Sequence, residues 1–193
     1  MSRRRVPVIA AITVLAAGAG LFGNGVFMAA KAEAAQILLA QSWDRARSGE
    51  AEPRPWPWAD TWAVARIAAP RLDQSAIVLA EAGGEALAFG PTHLSSTPQP
   101  GDPGTSVIAA HRDTHFEFLK DMQIGDAVEL EAHDGESHTY IVDDLKVVRA
   151  DASGIDPREP GKRLALVTCF PFNTTEQGPL RYVVFATAEE DLI

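Results

Sequence analysis

The stretch DAVELEAHDGESHTYIVDDLKVV, residues 126–148, reads as two strands joined by a tight turn. Val128 and Leu130 alternate with Glu129 and Glu131, the two-residue period that turns apolar side chains to one face and carboxylates to the other. Asp134-Gly135 follows, a pair that hairpin turns favour because both residues accept positive φ at low steric cost. His138 to Val148 then resumes the extended pattern. Outward from this hairpin lie further short apolar runs: Trp62 to Ile67, Ser75 to Ala80, Thr105 to His111, Arg163 to Cys169 and Tyr182 to Thr187. Short runs separated by turn signals predict an all-β barrel or sandwich. Only Glu85 to Phe89 and Phe116 to Met122 read as helical turns, so the predicted class is all-β with short helices. Ser95 to Gly104 is rich in Pro and Gly and reads as a loop, the kind of segment on which binding residues tend to sit.

The N-terminus is of a different character. Val6 to Ala30 is 25 residues without a charge, long enough as a helix to cross a hydrocarbon core about 30 Å thick. Arg3, Arg4 and Arg5 precede it, and the positive-inside rule keeps that triplet cytoplasmic and sends the rest of the chain across the membrane. Ala32-Glu33-Ala34 has the form of a signal-peptidase site, but the apolar run exceeds the roughly 7 to 15 residues of a signal h-region. An uncleaved transmembrane helix is therefore expected. Lys31 to Arg47 reads as a helical stalk with a stripe of Ala35, Leu39, Trp43 and Ala46. Ser48 to Trp58, with Pro53, Pro55 and Pro57, reads as an extended linker. Trp56, Trp58 and Trp62 are expected to clamp that linker to the domain rather than to form a ligand platform. The predicted organisation is a cytoplasmic end at 1–5, an anchor at 6–30, a stalk and linker at 31–60 and one catalytic-size domain at 61–193.

Net charge is −9 for the whole chain; residues 1–30 carry three Arg and no acid, so residues 31–193 carry −12. Such acidity argues against nucleic acid as a partner, because phosphate binding needs clustered Lys and Arg. Cys169 is the sole cysteine, which excludes an internal disulfide.

A thiol becomes an effective nucleophile when a base or cation promotes its thiolate. Cys169 ends the apolar run Leu164-Ala165-Leu166-Val167-Thr168-Cys169 and precedes Phe170-Pro171-Phe172. His111 ends another, Ser106-Val107-Ile108-Ala109-Ala110-His111, and is followed by Arg112-Asp113-Thr114. Arg181 opens the last strand, where a guanidinium could donate to a peptide carbonyl or a developing oxyanion. Spacing alone leaves open whether these strands are neighbours.

HRDTHF around His111, LVTC at Leu166 to Cys169 and LRYVV around Arg181 occur in the order and approximate spacing of the sortases, and the chain resembles that family over roughly residues 62 to 187. Leu166, Thr168 and Cys169 match the sortase signature Thr-Leu-x-Thr-Cys, with Ala165 in place of its first Thr. TCFPF and the N-terminal anchor look most like class D and Gram-negative type sortases. The resemblance implies an eight-stranded β-barrel in which Cys169, His111 and Arg181 are catalytic and Thr168 lines the substrate groove. It implies a membrane-anchored cysteine transpeptidase that cleaves a Leu-Pro-x-Thr-Gly-like C-terminal sorting motif through a thioester and passes the product to an amine acceptor. One dedicated protein partner and an extracytoplasmic, periplasmic catalytic domain are expected on the same basis. Phe170 and Phe172, directly after the thiol, are expected to contact substrate and wall the thioester from water.

No metal and no cofactor is expected. His111 and His115 have i, i+4 spacing, but on a strand, without an HExxH pattern. Asp113, Asp143 and Asp144 read as solvated charges rather than a calcium loop, and His93, His133 and His138 as solvated imidazoles. The competing reading is a catalytically silent membrane-tethered barrel that binds peptide by edge pairing.

Overall fold

The predicted hairpin is present as strands β5 (Ala127–Ala132) and β6 (Ser137–Arg149). Gly135 takes φ +88°, its N–H donates to Ala132 O at 3.0 Å, and Glu136 N–H donates to Asp134 Oδ1 at 3.0 Å. Val128 and Leu130 are buried and Glu129 is exposed, as the alternation requires. The structure is a computed structural model that describes residues 15, 18, 22, 23, 30, 31, 34–80, 86–174, 176 and 178–192.

Six further strands complete the sheet among the described residues: β1 (Ala63–Ala69), β2 (Gln74–Ala80), β3 (Thr92–His93), β4 (Gly104–Ala109), β7 (Lys162–Cys169) and β8 (Leu180–Ala188). They close into a barrel in the order β1-β2-β3-β4-β7-β8-β6-β5. The β2/β3 and β4/β7 pairs are parallel and the others antiparallel. Closure removes the exposed sheet edge that an open sheet of such strands would present. Ile67, Ile108, Val128, Leu130, Tyr140, Leu164 and Leu166 fill the interior, and Phe116 and Leu119 plug it from the connection between β4 and β5. Short 3-10 turns occupy Ala86–Ala88 and Glu117–Asp121, within the two segments predicted to be helical.

Two sequence expectations are corrected. Strand β3 has only two residues, too few to show any period, and so escapes a pattern reading. His93 lies on it and is 2 % exposed, not solvated, with Nε2 at 2.9 Å from Pro98 O and 3.3 Å from Thr97 Oγ1. The loop from Ser95 to Gly104, read as a segment of the kind that carries binding residues, follows β3 and runs into the start of β4. Since β4 and β7 are parallel, that loop lies at the opposite mouth of the barrel from Cys169.

The chain divides into two compact units, Met1–Ile37 and Leu38–Ile193. The described residues of the first are helical. The expected span at 6–30 falls almost wholly outside the described residues, and among those described no helix is long and apolar enough to cross a membrane. The second unit opens with helix α1 over residues 38–47, whose Leu39, Trp43 and Ala46 are buried as the stripe predicts. Gly49 at φ +91° ends it: Gly49 N–H donates to Ala46 O and Glu50 N–H to Arg45 O, which satisfies carbonyls the helix leaves open. Leu39 meets Leu79 and Ala86. Trp56 stacks edge-on against Phe89 at 4.9 Å, whereas Trp58 is 82 % exposed and clamps nothing.

At the Cys169 mouth, Arg71 in the β1–β2 turn forks onto the buried Asp126 carboxylate, with Nη2 to Oδ2 at 2.7 Å, and Gln123 N–H donates to the same oxygen at 2.7 Å. The Arg71 hydrogen bond, helped by the Gln123 amide and opposed by burial, holds the Asp126 carboxyl below its usual range. A depressed folded pKa contributes stability above the unfolded value of about 3.9 and loses it as pH falls through the folded one. The Tm gap between the native chain and Asp126→Asn is therefore expected to be full at pH 7 and to narrow below about pH 4 in calorimetry. A gap that stays constant down to pH 2 contradicts this.

Candidate active site

Alternation along the strands decides where the reactive side chains face. Ile108, Leu164, Leu166 and Val184 point into the barrel, while Val107, Ala165, Val167 and Val183 form a second apolar cluster on its outer face with Ile155 and Phe185. Cys169 follows Val167 by two residues and Arg181 precedes Val183 by two, so both belong to the outer face. They are direct partners in the β7/β8 register. Adjacent strands lie about 4.8 Å apart.

His111 joins them through β4. Ala109 pairs with Val167, and Ala110 N–H donates to Val167 O at 3.1 Å. The ladder thus continues past the end of β4 as far as Ala110, and the segment that carries His111 leaves next to the Thr168–Cys169 end of β7. Thr168 locks it there, because its buried hydroxyl donates to Ala110 O at 2.8 Å. His111 O in turn accepts Phe116 N–H at 3.0 Å, which starts the turn into the plug. Cys169 and Arg181 are half-buried, and the imidazole carrier His111 is exposed. The lining residue expected from Thr168 is therefore placed differently: at 2 % exposure it lies behind the site, not on its surface.

Thr168→Val tests this hydroxyl. Ala110 O then loses its donor, which is expected to destabilise the fold by about 1–3 kcal/mol. Turnover is expected to fall about tenfold through displacement of His111. Denaturant titration and steady-state kinetics of the same variant measure both effects.

Arg181 is itself held by backbone. Its Nη1 donates to Gly178 O at 2.9 Å and Leu180 O at 2.8 Å. Phe170 N–H donates to Leu180 O at 3.1 Å, which fastens the residue after the thiol to the residue before the guanidinium. Phe170 and Phe172 are half-buried and meet Tyr182, with ring centroids 6.3 and 5.2 Å away, so an aromatic cluster forms directly after Cys169 in sequence. Burial pushes the Tyr182 phenol above its ordinary range. The sequence reading passed over Tyr182, although its place directly after Arg181 on an alternating strand turns it to the inner face. His115 also lies here, half-buried: desolvation pushes its imidazole below the ordinary range, and repulsion from His111 adds to that.

No cluster of three or more His, Cys, Asp or Glu able to hold a metal occurs among the described residues. Asp143 accepts from Thr187 Oγ1 at 2.5 Å and from Arg163 Nη2 at 3.2 Å, and Asp144 pairs with Lys146, so neither is a simply solvated charge. A cavity of about 510 Å³ opens at the far mouth between Gln99–Asp102, His133 and His138, with none of the three reactive residues in its lining. Size does not mark this site; chemistry does.

The family model for the sortase domain matches residues 67–189. Sortase D of Bacillus subtilis (strain 168) is 28 % identical over 117 residues, covering 60 % of this chain and 59 % of that protein, so the chain spans less than two thirds of that relative's length. Sortase A from Corynebacterium diphtheriae superposes with a TM-score of 0.58 at 25 % identity, over 68 % of this chain and 62 % of that one. The Clostridium perfringens Sortase D5 transpeptidase does so at 0.56 and 20 %, over 65 % and 78 %, and shows the shared fold. With a closed eight-strand barrel and a family model that matches residues 67–189, the chain belongs to the sortase family.

Proposed function

We propose that this chain is a membrane-anchored cysteine transpeptidase that cleaves a Leu-Pro-x-Thr-Gly-like sorting motif and joins the new C-terminus to an amine. The pairing of Cys169 with Arg181, beside the strand end that carries His111, is the observation that supports this reading. The Cys169 thiolate attacks the carbonyl carbon of the motif Thr, and the negative charge that builds on the carbonyl oxygen falls to Arg181. The C–N bond breaks as the His111 imidazolium gives its proton to the leaving amine, which leaves a thioester and a neutral imidazole. An incoming amine attacks the thioester, His111 takes its proton, and the new amide departs as the thiolate returns. Val167, half-buried and two residues before Cys169 on the same face, offers an apolar contact for an extended peptide.

The anchor at 6–30 would hold the domain on the outer, periplasmic side of the cytoplasmic membrane, within reach of one dedicated membrane or surface protein. Incubation of the full chain with Leu-Pro-x-Thr-Gly peptides, followed by mass spectrometry, is expected to give an acyl adduct on Cys169 that hydroxylamine releases. No adduct with any peptide of a motif library sinks the proposal. Phe172→Ser is expected to raise the ratio of hydrolysis to transfer several-fold by wetting the thioester; an unchanged product ratio in chromatography contradicts the wall.

A further inference from the structure

Arg112, immediately after His111, is only 7 % exposed. Guanidinium groups are almost never buried without a counter-charge, because desolvating the cation is unfavourable unless a partner offsets it. Among the described residues no carboxylate pairs with it. Arg112 Nη2 donates to the backbone carbonyl of Glu176 at 2.7 Å, and Nη1 is sealed from solvent with no acceptor among the described residues. A buried cation held in this state needs a reason beyond stability.

That reason lies in what Glu176 belongs to. The connection from Phe170 to Leu180 carries the thiol at one end and Arg181 at the other, and Arg181 itself grips the carbonyls of Gly178 and Leu180. Two guanidinium groups therefore hold one connection. The grip of Arg181 is local to its own strand end, whereas that of Arg112 spans 64 residues of sequence and comes from the strand end that carries His111. Thr168 ties Ala110, just before His111, to β7, and Arg112, just after His111, ties the same segment to the connection.

We infer that Arg112 is a positioning residue: it registers the His111 strand end against the Cys169–Arg181 pair by anchoring the β7–β8 connection through the Glu176 carbonyl. A methionine would fill much of the same space without donating, and a lysine would keep the charge and one donor. The two variants thus separate anchoring from packing.

The test is amide hydrogen exchange on the full chain in detergent, comparing native protein, Arg112→Met and Arg112→Lys. Arg112→Met is expected to speed exchange across residues 170–181 at least about tenfold while strands 163–168 and 183–188 stay within about twofold. Arg112→Lys is expected to restore most of that protection. Native-like protection in Arg112→Met, or exchange raised equally throughout the barrel in both variants, overturns the inference. A second arm rests on the proposed activity: with a peptide that acylates Cys169, Arg112→Met is expected to lower kcat about tenfold or more with KM within about threefold, and Lys to recover part of it. A fall confined to KM overturns the inference as well. If no peptide acylates the native chain, the proposed activity fails while the exchange measurement still decides the role of Arg112.

Discussion

Cys169→Ala is expected to lower peptide cleavage and transfer by more than about 10⁴-fold, because a covalent route cannot proceed without its nucleophile and the residues that serve it act as a unit. The fold should not notice. Cys169 is half-buried on the outer face of β7 and outside both apolar clusters that β7 helps to build, so Tm is expected to stay within about 2 °C. Turnover by chromatography and peptide binding by fluorescence anisotropy, measured on the full chain, separate the possibilities. Binding retained with turnover lost supports the enzyme. Turnover that survives the substitution removes Cys169 from the chemistry, and a native chain that binds peptide without ever acylating is the silent barrel.

Arg181→Lys is expected to lower kcat by about 10²–10³-fold, the loss typical of removing one preorganised oxyanion donor. Charge is kept in this variant, so the loss measures geometry. The guanidinium is a planar fork: Nη1 is fixed on Gly178 O and Leu180 O, which aims the remaining donors from a rigid base opposite Cys169. An ammonium on a flexible stem cannot hold two carbonyls and reach a third oxygen with the same precision. Single-turnover acylation kinetics place the loss in the first chemical step. A variant that acylates at the native rate limits Arg181 to holding the connection, with no part in the transition state.

Both expectations depend on a geometry that was partly readable beforehand. Seven of the eight strands have a period or an apolar run of their own, so their existence follows from local sequence; β3, two residues long, carries no such signal and forms only because β2 and β4 lie on either side of it. The reactive residue types were visible for the same local reason, as a thiol, an imidazole and a guanidinium at the ends of apolar runs. Arg112 was visible too but mute, since a cation after a His has no meaning until the chain folds it under the β7–β8 connection. His93 reads as solvated in the sequence and is buried in the fold, because β3 is enclosed between β2 and β4, a pairing that a two-residue strand does not announce.

What the chain determined by itself was seven of the eight strands, the β5–β6 turn at Asp134-Gly135, the buried stripe of α1 and the residue types proposed for the chemistry, because each depends on residues within a few positions of one another. What the tertiary structure alone decided was adjacency: the parallel β4/β7 pair that brings the end of β4 next to the end of β7, the register that pairs Cys169 with Arg181, and the burial of Thr168 against Ala110. Such pairings link segments 58 residues apart in the case of Thr168 and Ala110, and their free energy comes from closing the barrel as a whole, which no single segment encodes.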